Sequence, residues 1–164
     1  MARACTSRSM SRKPVTRPVL AANPVLNAAP RPRLRSWNKA RQRRLAVWKR
    51  YEEELAGLPL HLPAPAAEGT RHALHLFTCL VDDSRTSVGR DDVLAALRAL
   101  RIGAGVHYRA VHLHPWYRRH HGERTGTLPG AEWVSARTFS LPLSAAMSDG
   151  DVADVARALR LILS

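Results

Sequence analysis

Lysine is scarce in this 164-residue chain: Lys13, Lys39 and Lys49 are set against 26 lysines and arginines in all. Acidic residues are absent from positions 1–50, where 14 of the basic residues lie. No run of about 18 apolar residues occurs, so no transmembrane helix is expected. Cys5 and Cys79 are the only cysteines. They are too few and too ill-matched for a disulfide framework, which makes a reducing cytoplasm the expected setting. No Gly/Ser/Thr-rich loop precedes a helix in the manner of a phosphate cradle. The chain also shows no internal repeat.

What is present divides unevenly. Residues 51–164 carry 12 basic residues against all 13 acidic ones, so the net charge of +13 belongs to the N-terminal end. Residues 1–35 mix Arg, Ser, Pro and Ala, and Pro14, Pro18, Pro24, Pro30 and Pro32 would interrupt a helix there. This stretch is expected to be a disordered tail. Proline at this density also spoils the amphipathic helix of a transit peptide, and no apolar core follows the early arginines to make a secretory signal. An uncompensated basic tail beside Trp37 and Trp48 suits nucleic-acid phosphates, with steep salt dependence as its signature. A non-enzymatic module that binds nucleic acid through this tail is therefore the alternative function.

From Ser36 onward the pattern is that of a folded domain, with 45% apolar residues in the whole chain to build a core. Trp37, Ala40, Arg44, Val47, Trp48, Tyr51 and Leu55 recur at helical spacing, with Ser36 as N-cap and a stop near Gly57 and Pro59. Residues 63–69 read as a loop. His72 to Val81 reads as a buried strand, apolar on both faces. A polar turn over 82–89 leads to a helix from about Asp91 to Ile102, stopped at Gly103, and then to a strand that delivers His107 and Tyr108. Pro115 to Gly130 reads as an exposed loop with a short turn around Tyr117. A short helix over 131–137 is expected to be anchored to the core by Trp133, and residues 139–143 are extended. Ser148 and Asp151 have capping-box spacing and open a last helix with Val152, Val155, Ala156, Leu159, Ile162 and Leu163 on one stripe. The order of elements predicts an α/β (α+β) fold, a small sheet covered by helices.

Several residues invite chemistry. The histidines suggest a metal, but on a strand His72 and His75 point to opposite faces, and His120-His121 sits among arginines that repel cations. No metal site is expected. Cys79 in mid-strand reads as an inert core thiol. Lys39 and Lys49 read as a solvated helix face. Asp91 and Asp92 suit the positive end of a helix.

The most informative stretch is Gly105-Val-His-Tyr-Arg-Ala-Val-His-Leu-His-Pro-Trp-Tyr-Arg118. With Asn38-Lys-Ala-Arg41, His72-Ala-Leu-His-Leu-Phe77, Arg90-Asp91, Leu128-Pro-Gly-Ala-Glu132, Ser140-Leu-Pro-Leu143 and Met147-Ser-Asp149, in that order and spacing, it resembles the C-terminal domain of the DegT/DnrJ/EryC1/StrS family. These are the pyridoxal-phosphate-dependent nucleotide-sugar aminotransferases. The resemblance implies the small C-terminal domain of a fold-type I enzyme, serving as lid and sidewall to a nucleotide-sugar pocket, usually within a homodimer. It implies that His107 and Tyr108 face the bound sugar, with His112 and Tyr117 beside them. Imidazoles and phenols suit that task, because each donates and accepts hydrogen bonds and a tyrosine ring stacks on a pyranose.

Transamination also needs a lysine to hold pyridoxal phosphate, an acid for the pyridine nitrogen and a phosphate cup. The sequence offers none of these in a suitable place, so no catalytic residue is expected in this chain and no cofactor is expected to be held by it alone. Three accounts remain open: a truncated gene product without activity, half of a split enzyme whose cofactor domain is encoded separately, and a lid domain reused for binding. Truncation is the most economical, because the resemblance begins inside a helix. Each fragment account predicts apolar faces left exposed where a larger domain would pack.

Overall fold

In a computed structural model, residues 31–122 and 124–164 are described. The expected disordered tail lies, up to residue 30, outside them. Helix α1 spans Arg31–Glu54, six residues longer at its start than a Ser36 cap predicted. Pro32 falls in its first turn, where the amide that proline lacks would have no partner within the helix. The helix stops as expected: Gly57 takes a left-handed φ of 82°, and strand β1 (Leu60–His61) follows at once.

Strand β2 is Phe77–Val81, half the predicted length. The segment before it is bent. Leu74 has a φ of 53°, and its amide donates to His72 Nδ1 at 3.0 Å, a local bond that competes with strand pairing. Within β2, Phe77, Cys79 and Val81 are buried and Thr78 and Leu80 are half-buried, so one face meets the core fully. Helix α2 is Arg90–Ala99. It ends short of the predicted Ile102 because Arg101 turns left-handed (φ 61°), and Ile102 then donates back to the Leu97 carbonyl at 2.9 Å.

No strand delivers His107 and Tyr108. A single antiparallel bridge joins Gly105 to Ser140, and beyond it the chain is irregular as far as a 3-10 turn at Val111–Leu113. The predicted loop at 115 holds helix α3, Pro115–His121, with proline at its start and Gly122 left-handed at its end. Helix α4 (Pro129–Arg137) leads directly into strand β3 (Thr138–Leu141). Helix α5, Asp149–Leu163, opens with the predicted reciprocal cap: Asp151 N–H donates to Ser148 Oγ at 3.2 Å, and Ser148 N–H to Asp151 Oδ2 at 2.7 Å.

The sheet is antiparallel, in the order β1-β2-β3. Phe77 pairs with Leu141 and Cys79 with Phe139. Its apolar face packs on Val47, Trp48 and Tyr51 of α1, Leu55 just past the end of α1, Val93 and Leu97 of α2, and Val152, Val155, Ala156, Leu159 and Leu163 of α5. Five of the six predicted α5 stripe residues are buried, and Ile162 is half-buried. Phe77 is the hub, with Trp48 edge-on at 4.7 Å and Tyr51 at 5.0 Å. Tyr51 keeps its hydroxyl satisfied on the Pro142 carbonyl at 3.0 Å, and burial raises its pKa. Arg43 ties α1 to the start of α5 through the Met147 carbonyl (2.6 Å) and Asp149 (2.7 Å).

Candidate functional site

The predicted site residues all lie between α2 and α4, on the stretch of chain that follows the Gly105 bridge. Ser140 donates to the Gly105 carbonyl at 2.8 Å, which fixes this segment at the sheet edge. A Cβ at Gly105 would stand 3.3 Å from Cε1 of His107, so the ring would have to give by a few tenths of an ångström. Further on, Ala110 N–H donates to the buried Ser135 Oγ at 2.8 Å. Arg90 bonds the Ser135 and Thr138 carbonyls at 3.1 Å each. The segment is thus irregular in dihedral angles yet held by buried hydrogen bonds.

His107 and Tyr108 meet ring to ring, edge-on at 4.9 Å. Tyr108 is 73% exposed. His107 is half-buried, and its Nδ1 is buried without a hydrogen-bond partner. A buried unpaired nitrogen is costly unless something supplies its bond. His112 and Tyr117 form a second group. Both line a groove of about 510 Å³ with Val111, His121, Leu128 and Ala131. A neighbouring groove of about 490 Å³ is lined by Val111, His114, Trp116 and Tyr117.

His112 is buried, and its Nε2 faces Glu132 Oε1 at 3.0 Å. The carboxylate also accepts from Gly126 N–H at 2.8 Å and Leu128 N–H at 3.3 Å. The His112 hydrogen bond, then those amides, hold the Glu132 carboxyl below its ordinary range. His112 is thereby oriented by a partner that the sequence pattern did not single out. No spacing in the sequence pairs Glu132 with His112, which stands 20 residues away across turns.

Trp116 is the other omission. His120 stacks on it at 4.3 Å, and Tyr117 stands edge-on at 5.0 Å. The stacking turns His120 to the Trp116 carbonyl, 2.8 Å from its Nδ1. Among the described residues no three His, Cys, Asp or Glu side chains are placed to share a metal ion. Burial pushes the Cys79 thiol up to about 12, in keeping with an unreactive core residue.

Trp133 departs from expectation. It is 43% exposed, with the Arg137 guanidinium over its ring at 4.8 Å and His61 at 5.8 Å. The anchor of α4 is Ser135, whose small side chain lets the helix approach the 110 segment. Tyr108, Val111, Trp116 and Leu128 are each half exposed or more.

The comparisons with known proteins agree with this geometry. The model of the DegT/DnrJ/EryC1/StrS aminotransferase family matches residues 25–160. An uncharacterized protein of Methanocaldococcus jannaschii is 37% identical over 124 residues, which are 76% of this chain and 32% of that protein. DesV of S. venezuelae, solved with a ketimine intermediate, superposes with a TM-score of 0.68 at 33% identity over 80% of this chain and 34% of its own. DesI, solved in the presence of its TDP-sugar product, gives 0.67 at 27% identity over 78% and 32%. The chain spans about a third of the length of each. With its helix-covered antiparallel sheet and its His-Tyr segment at the sheet edge, this chain belongs to the DegT/DnrJ/EryC1/StrS aminotransferase family.

Proposed function

We propose that residues 36–164 act as the substrate-side domain of a nucleotide-sugar aminotransferase, in the cytoplasm, with residues 1–35 outside that domain. In this reading the four residues His107, Tyr108, His112 and Tyr117 serve the sugar. Tyr108 and Tyr117 offer exposed rings and hydroxyls. His107 offers its unpartnered Nδ1, and His112, held by Glu132, supports the wall between the grooves. The single observation that carries the reading is the segment 105–117 itself: mostly irregular, fixed by buried hydrogen bonds, and holding one unpaired ring nitrogen, His107 Nδ1, behind exposed aromatic rings. Irregular backbone held on a rigid scaffold is the usual seat of a binding site. That DesI holds a TDP-sugar product supports the class of substrate.

The family binds pyridoxal phosphate. The described residues of this chain do not fit that group. Lys39 and Lys49 both lie exposed on α1, and the groove beside Lys49 is walled by the charged side chains of Arg50, Glu53, Glu54 and Arg160 rather than by a phosphate cup. We assign the cofactor to a large domain contributed by another polypeptide or another stretch of chain, docked on the surface around Val111, Trp116 and Leu128. Homodimerisation, general in the family by the resemblance, would complete the pocket.

The test is reconstitution. The chain is co-produced with the cofactor domain of a family member, and amino transfer to a nucleotide-linked keto sugar is assayed. The expected result is a complex with activity above that of the cofactor domain alone, lowered about tenfold or more by Tyr108→Phe with His107→Ala. A chain that neither binds the domain nor changes its activity would sink the reading.

A further inference from the structure

The chain before β2 gives its carbonyls to arginines rather than to a neighbouring strand. The left-handed turn at Leu74 lays residues 71–73 against α1, and the buried Leu74 side chain pins the bend. Arg41 Nε donates to the His72 carbonyl at 3.2 Å, and the Arg44 guanidinium reaches the Ala73 carbonyl at 3.5 Å. Arg71 runs the other way. It donates to Asn38 Oδ1 at 3.1 Å and lies over the Trp37 ring at 5.5 Å. Trp37, Arg41 and Arg44 recur at helical spacing on α1, so three guanidiniums and one indole meet a single short stretch of backbone.

This corner has no counter-charge. Arg43 pairs with Asp149 and Arg50 with Glu54, whereas Arg41, Arg44 and Arg71 have no carboxylate partner among the described residues. A guanidinium carries several N–H donors in a fixed fork, and the carbonyl bonds occupy only one on Arg41 and one on Arg44. Arg44 Nε is buried with no partner. His72 Nδ1 accepts from the Leu74 amide, so the neutral ring keeps its hydrogen on Nε2, a further donor on an exposed residue. Unspent forks of like charge suit the oxygens of a phosphate.

Trp37 narrows the ligand. It is 45% exposed, and residues 1–50 around it hold 14 basic residues and no acidic one. An open ring beside phosphate-binding arginines takes an unpaired base together with its backbone. We propose that Trp37, Arg41, Arg44 and Arg71 form a binding site for single-stranded nucleic acid, the arginines holding phosphates and Trp37 stacking on a base. The site shares no residue with segment 105–117, so it is independent of the aminotransferase reading. It also differs from binding by residues 1–30 alone, because it needs the folded contact between α1 and Arg71.

Fluorescence anisotropy of the full chain with a labelled oligouridylate of about 20 nucleotides, over a series of salt concentrations, tests it. Trp37→Ala is expected to weaken binding about tenfold with the salt dependence kept, and Arg71→Gln to weaken it about as much. Replacing Arg41 and Arg44 together by Gln should make the slope of log affinity against log salt shallower by about 1.4, with circular dichroism showing the fold retained. Arg98→Gln with Arg119→Gln removes the same charge from exposed positions elsewhere and should change affinity less than about threefold. Polyphosphate, which has no bases, should bind equally well to the chain and to Trp37→Ala. No binding at about 100 μM protein in about 0.1 M salt overturns the proposal. Binding that Trp37→Ala and Arg71→Gln leave unchanged does so too, since residues 1–30 would then suffice. A control pair as damaging as Arg41 with Arg44 reduces the effect to net charge and overturns it. Phosphatidylserine–phosphatidylcholine vesicles that displace the strand at equal phosphate would assign the patch to a membrane surface instead, which also overturns it.

Discussion

Glu132 joins the His112 ring to the amides of Gly126 and Leu128, so its ionisation bears on the shape of the site. Its folded-state pKa is depressed below the ordinary 4.5. The stabilisation is therefore fully present above that ordinary value and is lost as pH falls through the lower folded one. Asp149, Asp151 and Asp82 are depressed in the same direction, so acid unfolding should be cumulative. The melting temperature is expected to be flat from about pH 7 to 5.5 and to fall below about pH 4.5. Glu132→Gln should make that fall shallower, as read by circular dichroism at each pH. Ser135→Ala removes the acceptor of the buried Ala110 N–H and should cost about 1–3 kcal/mol, visible as a shifted denaturation midpoint. A thiol reagent should reach Cys79 only as the unit opens, tested in a Cys5→Ser background. Of these residues Cys79 was legible in sequence, because an apolar mid-strand neighbourhood forecasts burial. The role of Glu132 was not, because its partners lie 4 to 20 residues away across turns.

Among the elements, α5 was the easiest to read, since a capping box and a continuous apolar stripe agree on its start and its buried face. Ser148→Ala should lower stability by about 1 kcal/mol, measured by urea unfolding with an unchanged slope. Helix α3 was missed for the opposite reason. Its seven residues carry two arginines, two histidines and no buried side chain. What holds it is local: a proline at the start, stacked rings one turn apart, and a left-handed glycine at the end. The strand before Phe77 was overread because Leu74, Leu76 and Leu80 keep a period of two. Alternation does not report pairing: Leu74 is buried at 3% exposure without belonging to a strand, while Leu76 and Leu80 are only half-buried. The start of α1 was placed late because proline was weighed as a breaker throughout, whereas in a first turn it is harmless.

At the scale of the molecule, family and fold were legible because many weak pieces recur in fixed order over more than a hundred residues. Which surfaces remain open was not, since exposure of Tyr108, Trp116 or Leu161 depends on what packs nearby. The folded unit draws its core from residues 47 onward, so deleting residues 1–30 should leave its melting temperature within about a degree, checked by calorimetry. Consider finally the rims of the sheet. On one side β1 offers two residues for pairing, and on the other Gly105 contributes one bridge. Long flat rims are templates for runaway strand addition and fibril growth. This unit withholds its main chain from strangers while showing them aromatic rings and paired charges. Whatever it assembles with must be recognised by side-chain shape and charge, and a mutation that lengthened either rim would turn a selective surface into a sticky one.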